Sequence, residues 1–403
     1  MDLLSGRPFW PVRDGLPATF PPLLASTECD VAVIGAGVAG AMAAALLAEA
    51  GLDTLVLDRR EAAHGSTAGN TGLVLYELDT MLHELAARLG RDRAERVYRR
   101  CHDAIPVLER LVRHFRIDCG FARRPSLFLA AHARHVPRLR REFVARTAAG
   151  LEAEWWSRSR LAGSSSLPHP AAILTPQAAE LDAYRLAYGL LGAARRAGAR
   201  IHDRTEVRRW QFRRAGVDLF TARGARVRAR WMVVATGYES ERFLPRRVGA
   251  LHCTFAVVSE PLAADAFVGW PADRCLLWDT ADPYLYLRIT DDHRALIGGY
   301  DEPFDGPEAR DRMLKRKATA LRRRFRQFFP EIPFESAMAW AGTFGVTASG
   351  LPFIGRHPQV PHTWFALGFG GNGLTFSLIA AEMIRQALLG DVDPDLELFG
   401  FAR

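Results

Sequence analysis

The sequence predicts an α/β fold, α+β overall, in which a Rossmann-like nucleotide-binding domain, discontinuous along the chain, carries an inserted antiparallel-sheet domain. Three observations predict it. Residues 30–58 read as strand, glycine-rich turn, small-residue helix and a second strand closing on an acid. A further buried strand, Val227–Val234, closes on Ala235-Thr236-Gly237, a turn suited to the edge of a parallel sheet. Residues 251–300 alternate apolar and polar positions between turns, the pattern of antiparallel strands.

The first unit is the most specific. Val31–Ile34 is an apolar run of strand length. Gly35 allows a tight turn, Gly37 lets backbone approach a pyrophosphate, and Gly40 lets the next helix pack closely on the strand. That helix starts at Val38 and Ala39, so its free N–H groups and positive dipole end face the phosphates. Ala41–Ala50 is rich in good helix formers and stops at Gly51. Asp58 ends the second strand about 20 residues beyond the glycines, where a carboxylate accepts hydrogen bonds from an adenosine ribose, and Arg59 follows it. The glycine motif alone is weak. In register with strand, helix, strand and acid it predicts a dinucleotide site.

Further along, residues 1–28 are proline-rich and read as an extended arm. His64–Gly72 is a loop of small residues able to approach a flat ligand. Helices are expected over Thr80–Leu89 and Asp92–Phe115. Leu181–Gly198 has helical apolar spacing and a glycine stop, and leads into a short strand within Ala199–Val207. Strands are expected at Thr254–Val258, Leu276–Trp278, Tyr284–Ile289 and Ala295–Ile297. Gly368, Gly370, Gly371 and Gly373 crowd the entry to a helix, Leu374–Leu389, that is apolar on nearly every side and so buried. Residues 1–84, 165–245 and 340–403 are thereby assigned to the cofactor domain. Residues 85–164 and 246–339 form the substrate domain, with the site at the interface.

Composition narrows the class. A chain of 403 residues, 49% apolar and 24% charged, is an ordinary globular protein too long for one small core. No apolar run reaches the length of a membrane span, and the first residues lack the layout of a signal peptide. Five scattered cysteines fit free thiols in a reducing cytoplasm. The net charge of +8 comes almost wholly from arginine, but the arginines are dispersed, which argues against a nucleic-acid partner. The densest run, Lys315–Arg326, is interleaved with apolar residues and reads as an amphipathic helix with a solvated basic face, membrane or partner docking being the minority reading. No histidine spacing matches a metal site, so no metal is expected.

Taken together, these motifs resemble the D-amino-acid-oxidase-like superfamily of FAD-dependent oxidoreductases, which includes glycine oxidase, sarcosine oxidase and the γ-glutamylputrescine oxidoreductases. The resemblance covers essentially the whole chain. Gly65-Ser66-Thr67-Ala68-Gly69-Asn70 is similar to the loop bordering the flavin, and Thr71 and Gly72 continue it. Leu181–Ala187 and Gly198–Val207 resemble the middle signature; Leu351–Gly355 and Ala366–Gly373 resemble the C-terminal one. The resemblance implies noncovalent FAD, with Val207, Gly342, Gly370, Gly371, Asn372, Gly373, Leu374 and Thr375 added to the cofactor contacts. In the sarcosine oxidase branch a cysteine tethers the flavin, and Gly342 stands at its place. An arginine and a lysine that hold a substrate carboxylate there fall on Gly72 and Thr375, and a lysine linked to oxygen activation falls near Ile297. Sarcosine is therefore not the expected substrate. A flavin carries the redox chemistry, and the protein binds, orients and tunes it.

For the substrate, strand alternation puts Tyr284, Tyr286 and Arg288 on one face. Resemblance to glycine oxidase implies a guanidinium there pairing with a substrate carboxylate; an exposed strand face with a surface arginine is the alternative. Asn372 and His64 complete the candidates, His64 as a base or as a structural hydrogen-bonder. Trp340, Thr343 and Phe344 are equally flavin wall or core. The expected activity is oxidation of an amine or amino acid, with hydride passing to flavin N5 and the imine then hydrolysed. The acceptor is oxygen or an electron carrier. Two rivals stay open: a 2-hydroxy acid or polyol phosphate dehydrogenase, and an FAD-binding subunit of a larger redox complex.

Overall fold

The computed structural model describes residues 4–402, so the first three residues of the expected N-terminal arm and the last residue of the cofactor domain lie outside the described residues. Two sheets organise the chain. The first has eight strands, and its centre is parallel: Thr363–Leu367, Arg226–Val234, Thr27–Ile34, Thr54–Leu57 and Arg200–His202 lie side by side in that order. Buried on both faces, such strands need continuous apolar runs, and Val31–Ile34, Leu55–Leu57 and Met232–Val234 supply them. The helices Val38–Glu49, Ala183–Arg196 and Gly373–Leu388 pack together over one face as a single alanine- and leucine-rich core. Asp182 caps the second of these through the N–H groups of Tyr184 and Arg185, which explains its sharp start. A hairpin, Val207–Arg213 and Gly216–Thr221, continues the sheet and was not foreseen beyond its first residue.

The second sheet has ten strands and is largely antiparallel. The expected strands correspond to Gly249–Ser259, Leu276–Asp279, Leu285–Ile289 and Ala295–Pro303. Leu4–Gly6, Leu73–Val74, Ala122–Leu129, Glu154–Ser157, Ala171–Glu180 and Ser336–Thr347 join them. The division at residues 84, 165 and 340 therefore cuts across the sheet, since Leu73–Val74, Ala171–Glu180 and the end of Ser336–Thr347 belong to it. Conversely, the helix Arg91–His114 packs on Gly373–Leu388 in the core of the nucleotide side. The helix Pro307–Phe328, longer than the basic run that signalled it, covers the second sheet with Leu321, Phe325 and Phe328; Arg312, Arg316, Arg323 and Arg326 point outward, while Arg310 is buried.

The proline-rich arm is not simply extended. Phe9–Asp14 forms a short helix whose Phe9 and Trp10 are wholly buried. Arg13 fixes it by ion pairs to Asp182 at 2.8 Å and Asp291 at 2.6 Å. All five cysteines are buried and free. Among the described residues, no helix is long and apolar enough to cross a membrane.

Candidate active site

One continuous cavity runs between the two sheets. It starts at the C-terminal ends of the parallel strands, where open α/β sheets bind ligands, and ends against strand Leu285–Ile289 and the N-terminus of helix Gly373–Leu388. Gly37, Asn70, Val207 and Gly371, far apart in sequence, all line it.

At the nucleotide end, Gly35 takes φ +108°, and a side chain there would strike the Ala235 carbonyl. A Cβ on Gly40 would lie 1.8 Å from the Gly35 carbonyl oxygen, so helix and strand meet only because that position is bare. The Val38 N–H donates to Thr67 Oγ1 at 3.0 Å. Asp58 accepts from the N–H groups of Ala36 at 2.7 Å and Arg60 at 2.8 Å, which locks the turn to the second strand. Burial nevertheless raises its carboxyl above the usual range. Arg59 and Arg60 both pair with Glu239, and Arg242 lies near Glu206. Ala235, Thr236 and Gly237 wall the same stretch.

In the middle, Ser66–Gly69 makes one helical turn, and Ser66, Thr67, Asn70 and Thr71 face the cavity. The Ser66 and Tyr238 hydroxyls are hydrogen-bonded. Trp340 donates its indole N–H to the Gly69 carbonyl at 3.0 Å, and Trp10 donates to that of Asn70. Asn70 Oδ1 accepts the Gly72 N–H at 2.7 Å. Gly342 and Gly345 form the opposite wall.

At the far end, Asn372 donates to the carbonyls of Glu77 at 2.8 Å and Leu75 at 3.3 Å. Gly371 N–H donates to Asp79 at 3.1 Å, and Tyr284 donates its hydroxyl to the same carboxylate. Burial pushes the Asp79 carboxyl up. The Tyr286 hydroxyl lies 3.3 Å from that of Thr254. Asp301 lines the same end; burial, with Asp79 nearby, pushes its carboxyl up to about 7. Tyr284 and Tyr286 are half-buried, and desolvation raises their phenols above the ordinary value, so they are neutral donors at physiological pH.

Several candidates do not reach the cavity. Tyr284, Tyr286 and Arg288 do share a face, but the Thr71–Gly72 segment covers the arginine. Arg288 is 2% exposed; its guanidinium donates to the carbonyls of Thr71, Gly72 and Leu181 and pairs with Glu180 at 3.3 Å. His64 holds the Ala62 carbonyl at 2.9 Å and packs edge-on to Tyr184. Gly40, Gly72 and Leu374 sit behind the lining, and Thr375 donates to the Leu75 carbonyl at 2.8 Å. Conversely, Asp79, Asp301, Thr254, Trp278, Tyr238 and Glu239 line the cavity and carried no local motif.

The residues present fit FAD. A helix N-terminus and a glycine turn stand at one end, bare glycine walls face each other in the middle, and a second helix N-terminus closes the other end. Among the described residues, no cysteine or histidine lines the cavity.

A parallel-sheet dinucleotide groove opening onto a polar chamber on an antiparallel sheet defines a two-sheet flavoprotein oxidoreductase. The chain belongs to the FAD-dependent oxidoreductase family, DAO, which it matches over residues 30–387. Its cofactor is FAD. It is similar to the γ-glutamylputrescine oxidoreductase of Escherichia coli, 25% identical over 93% of this chain and 87% of that one. It is also similar to the probable oxidoreductase OrdL of Haemophilus influenzae, 23% identical over 94% and 87%. The fold superposes on glycine oxidase from Geobacillus kaustophilus with a TM-score of 0.78, at 21% identity, covering 93% of this chain and 99% of that one.

Proposed function

We propose that this FAD-dependent oxidoreductase oxidises an amine or amino acid at the end of the cavity walled by Tyr284, Tyr286 and Asn372. The observation that carries the reading is the continuity of that chamber with the nucleotide groove. FAD, when bound, supplies the acceptor of a hydride from the carbon bearing the amine, and water then hydrolyses the imine. Val38, Ala39, Thr67 and Asp58 hold the nucleotide; the loop Ser66–Thr71 and the Gly342–Gly345 wall hold the ring system. Among the described residues the cavity is lined by no cysteine or histidine that could form a tether, which supports noncovalent binding.

The chain's own part in the chemistry is positional. The bonds to the Leu75 and Glu77 carbonyls fix Asn372. Helix Gly373–Leu388 turns its positive end to the cavity, where it stabilises negative charge that develops there. Tyr284 and Tyr286 stay neutral and close the chamber against water. With the reacting amine deprotonated, no side-chain base is required. The five buried free thiols support a cytoplasmic setting. Oxygen or an electron carrier is the acceptor.

An anaerobic screen of amines, amino acids, 2-hydroxy acids and polyol phosphates, read by loss of the oxidised flavin absorbance, tests this. Bleaching by an amine or amino acid supports it. Bleaching only by hydroxy acids or polyol phosphates sinks it.

A further inference from the structure

One row of residues runs across five neighbouring strands of the second sheet. Trp278, Tyr286, Gly298, Ala256 and Trp340 are successive cross-strand partners. Residues directly opposite one another share a face of the sheet. Three large rings and two of the smallest residues therefore stand side by side on the face that carries the chamber. Trp278 and Tyr286 line the cavity, and Gly298 lies behind the lining. A Cβ on Gly298 would stand 2.3 Å from Cζ and from Oη of Tyr286, and 2.4 Å from Cε2. The phenol is thus laid across the bare backbone of the strand Ala295–Pro303. Its hydroxyl reaches Thr254, on the strand beyond, at 3.3 Å.

Backbone conformation does not require glycine at 298. The left-handed φ belongs to its neighbour Gly299, at +128°, and Gly298 is not among the residues that adopt one. A glycine inside a strand with ordinary backbone marks a place where another group comes close, and here that group is the Tyr286 ring. Carbon atoms in contact settle about 3.5 Å apart, so a methyl at 298 would force the ring away by roughly 1 Å. The sheet blocks one direction. The ring can move only off the sheet, toward the cavity it lines.

Resting on the reading of this chamber as the substrate end, we infer that Gly298 determines specificity through Tyr286. By staying bare it keeps the phenol down on the sheet, and so sets the depth open to the group that the substrate carries on its reacting carbon. Gly298 is a positioning residue, screened from the cavity by the ring that it positions.

The test has two arms. Crystal structures of the wild type and G298A show the ring directly, with or without flavin. The Tyr286 hydroxyl is expected to leave hydrogen-bond distance of Thr254 and the ring to narrow the cavity; a ring that keeps its wild-type place overturns the inference. The second arm follows anaerobic bleaching of the FAD-loaded proteins by ethylamine, benzylamine, glycine and phenylalanine. In G298A the apparent Kd of the bulky member of a pair is expected to rise at least roughly tenfold relative to its small partner, with flavin content unchanged. In the Y286A background, where no ring is left to displace, adding G298A should change that ratio by less than about twofold. An unchanged ratio in G298A overturns the inference, as does an equal effect of G298A with and without the Tyr286 ring. Failure of the parent reading is seen separately, as wild-type flavin that none of the four probes bleaches, while the two crystal structures still decide where the ring goes.

Discussion

Trp10 and Trp340, 330 positions apart by number, donate their indole N–H groups to the adjacent carbonyls of Asn70 and Gly69. One tryptophan arrives on the N-terminal helix and the other on the long strand Ser336–Thr347, so the cofactor loop hangs between two otherwise unrelated elements. Each indole is buried, and each carbonyl would lose its partner without it. Replacing either by phenylalanine keeps most of the ring but strands a carbonyl, at about 1–3 kcal/mol. W10F and W340F are expected to lower the thermal midpoint and to release FAD more readily, the double variant most. Flavin fluorescence on dilution measures the release, and W10F holding FAD like the wild type would contradict this role.

Arg288 makes the opposite case. On sequence it resembles a substrate anchor, yet its guanidinium joins strand Leu285–Ile289 to the Thr71–Gly72 and Glu180–Leu181 segments. A lysine cannot reproduce that planar fork. R288K is therefore expected to lose stability, on the order of 3 kcal/mol for a broken buried charge network. Its KM should shift no more for carboxylate-bearing substrates than for simple amines. A KM rise confined to carboxylate-bearing substrates would restore the arginine as an anchor.

These two residues show what sequence can and cannot disclose. The glycine turn, Asp58 and the C-terminal glycine cluster were legible because each is local: a few adjacent residues meet one backbone demand. Asp79 and Asp301 were not, because their meeting depends on strand pairing. Asp301 lies two residues past Gly299, which opposes Leu285, while Asp79 is brought in through Gly371. Alternation placed Arg288 on the correct face but could not show that Gly72 covers it. The strand Ala122–Leu129 was missed since its first half carries two arginines and Pro125, which sits where the register with Ala171–Glu180 shifts. Ser336–Thr347, rich in alanine and glycine, lacks β-propensity and is held by its neighbours on both sides.

Glu142 sets a pH dependence away from the active site. It is wholly buried, bonded to Arg146 at 2.8 Å, to the N–H groups of Leu82 and His83, and to the His83 ring. Although burial opposes ionisation, Arg146 and these donors hold its carboxyl down at about 2, against 4.5 ordinarily. A depressed carboxylate stabilises the fold fully above its unfolded value, and that contribution is lost as pH falls toward 2. The wild type is expected to lose about 3 kcal/mol from this group between pH 4.5 and 2. E142Q should be less stable at pH 7 by a similar amount and flatter across that window. Urea unfolding in excess FAD at several pH values measures both, and an E142Q protein as stable as the wild type at pH 7 would count against the assignment.

Gly40 gives the sharpest test of the nucleotide site, because the obstacle there cannot move aside. A methyl at Gly40 would stand 1.8 Å from the oxygen and 2.8 Å from the carbon of the Gly35 carbonyl, and that carbonyl belongs to the turn itself. A flexible side chain could swing away, at roughly 1–3 kcal/mol for overpacking. Here the helix Val38–Glu49 must lift from the strand Thr27–Ile34, carrying the Val38 N–H away from Thr67. G40A is accordingly expected to emerge without flavin, or not to fold. Gly51, at the end of the same helix, supplies the control. Its φ of +83° penalises a side chain, but a methyl there meets nothing within 4 Å, so G51A should cost only about 1 kcal/mol and retain FAD. The flavin-to-protein absorbance ratio of the purified variants separates them. Equal ratios in G40A and the wild type would mean that the close helix–strand contact does not govern nucleotide binding.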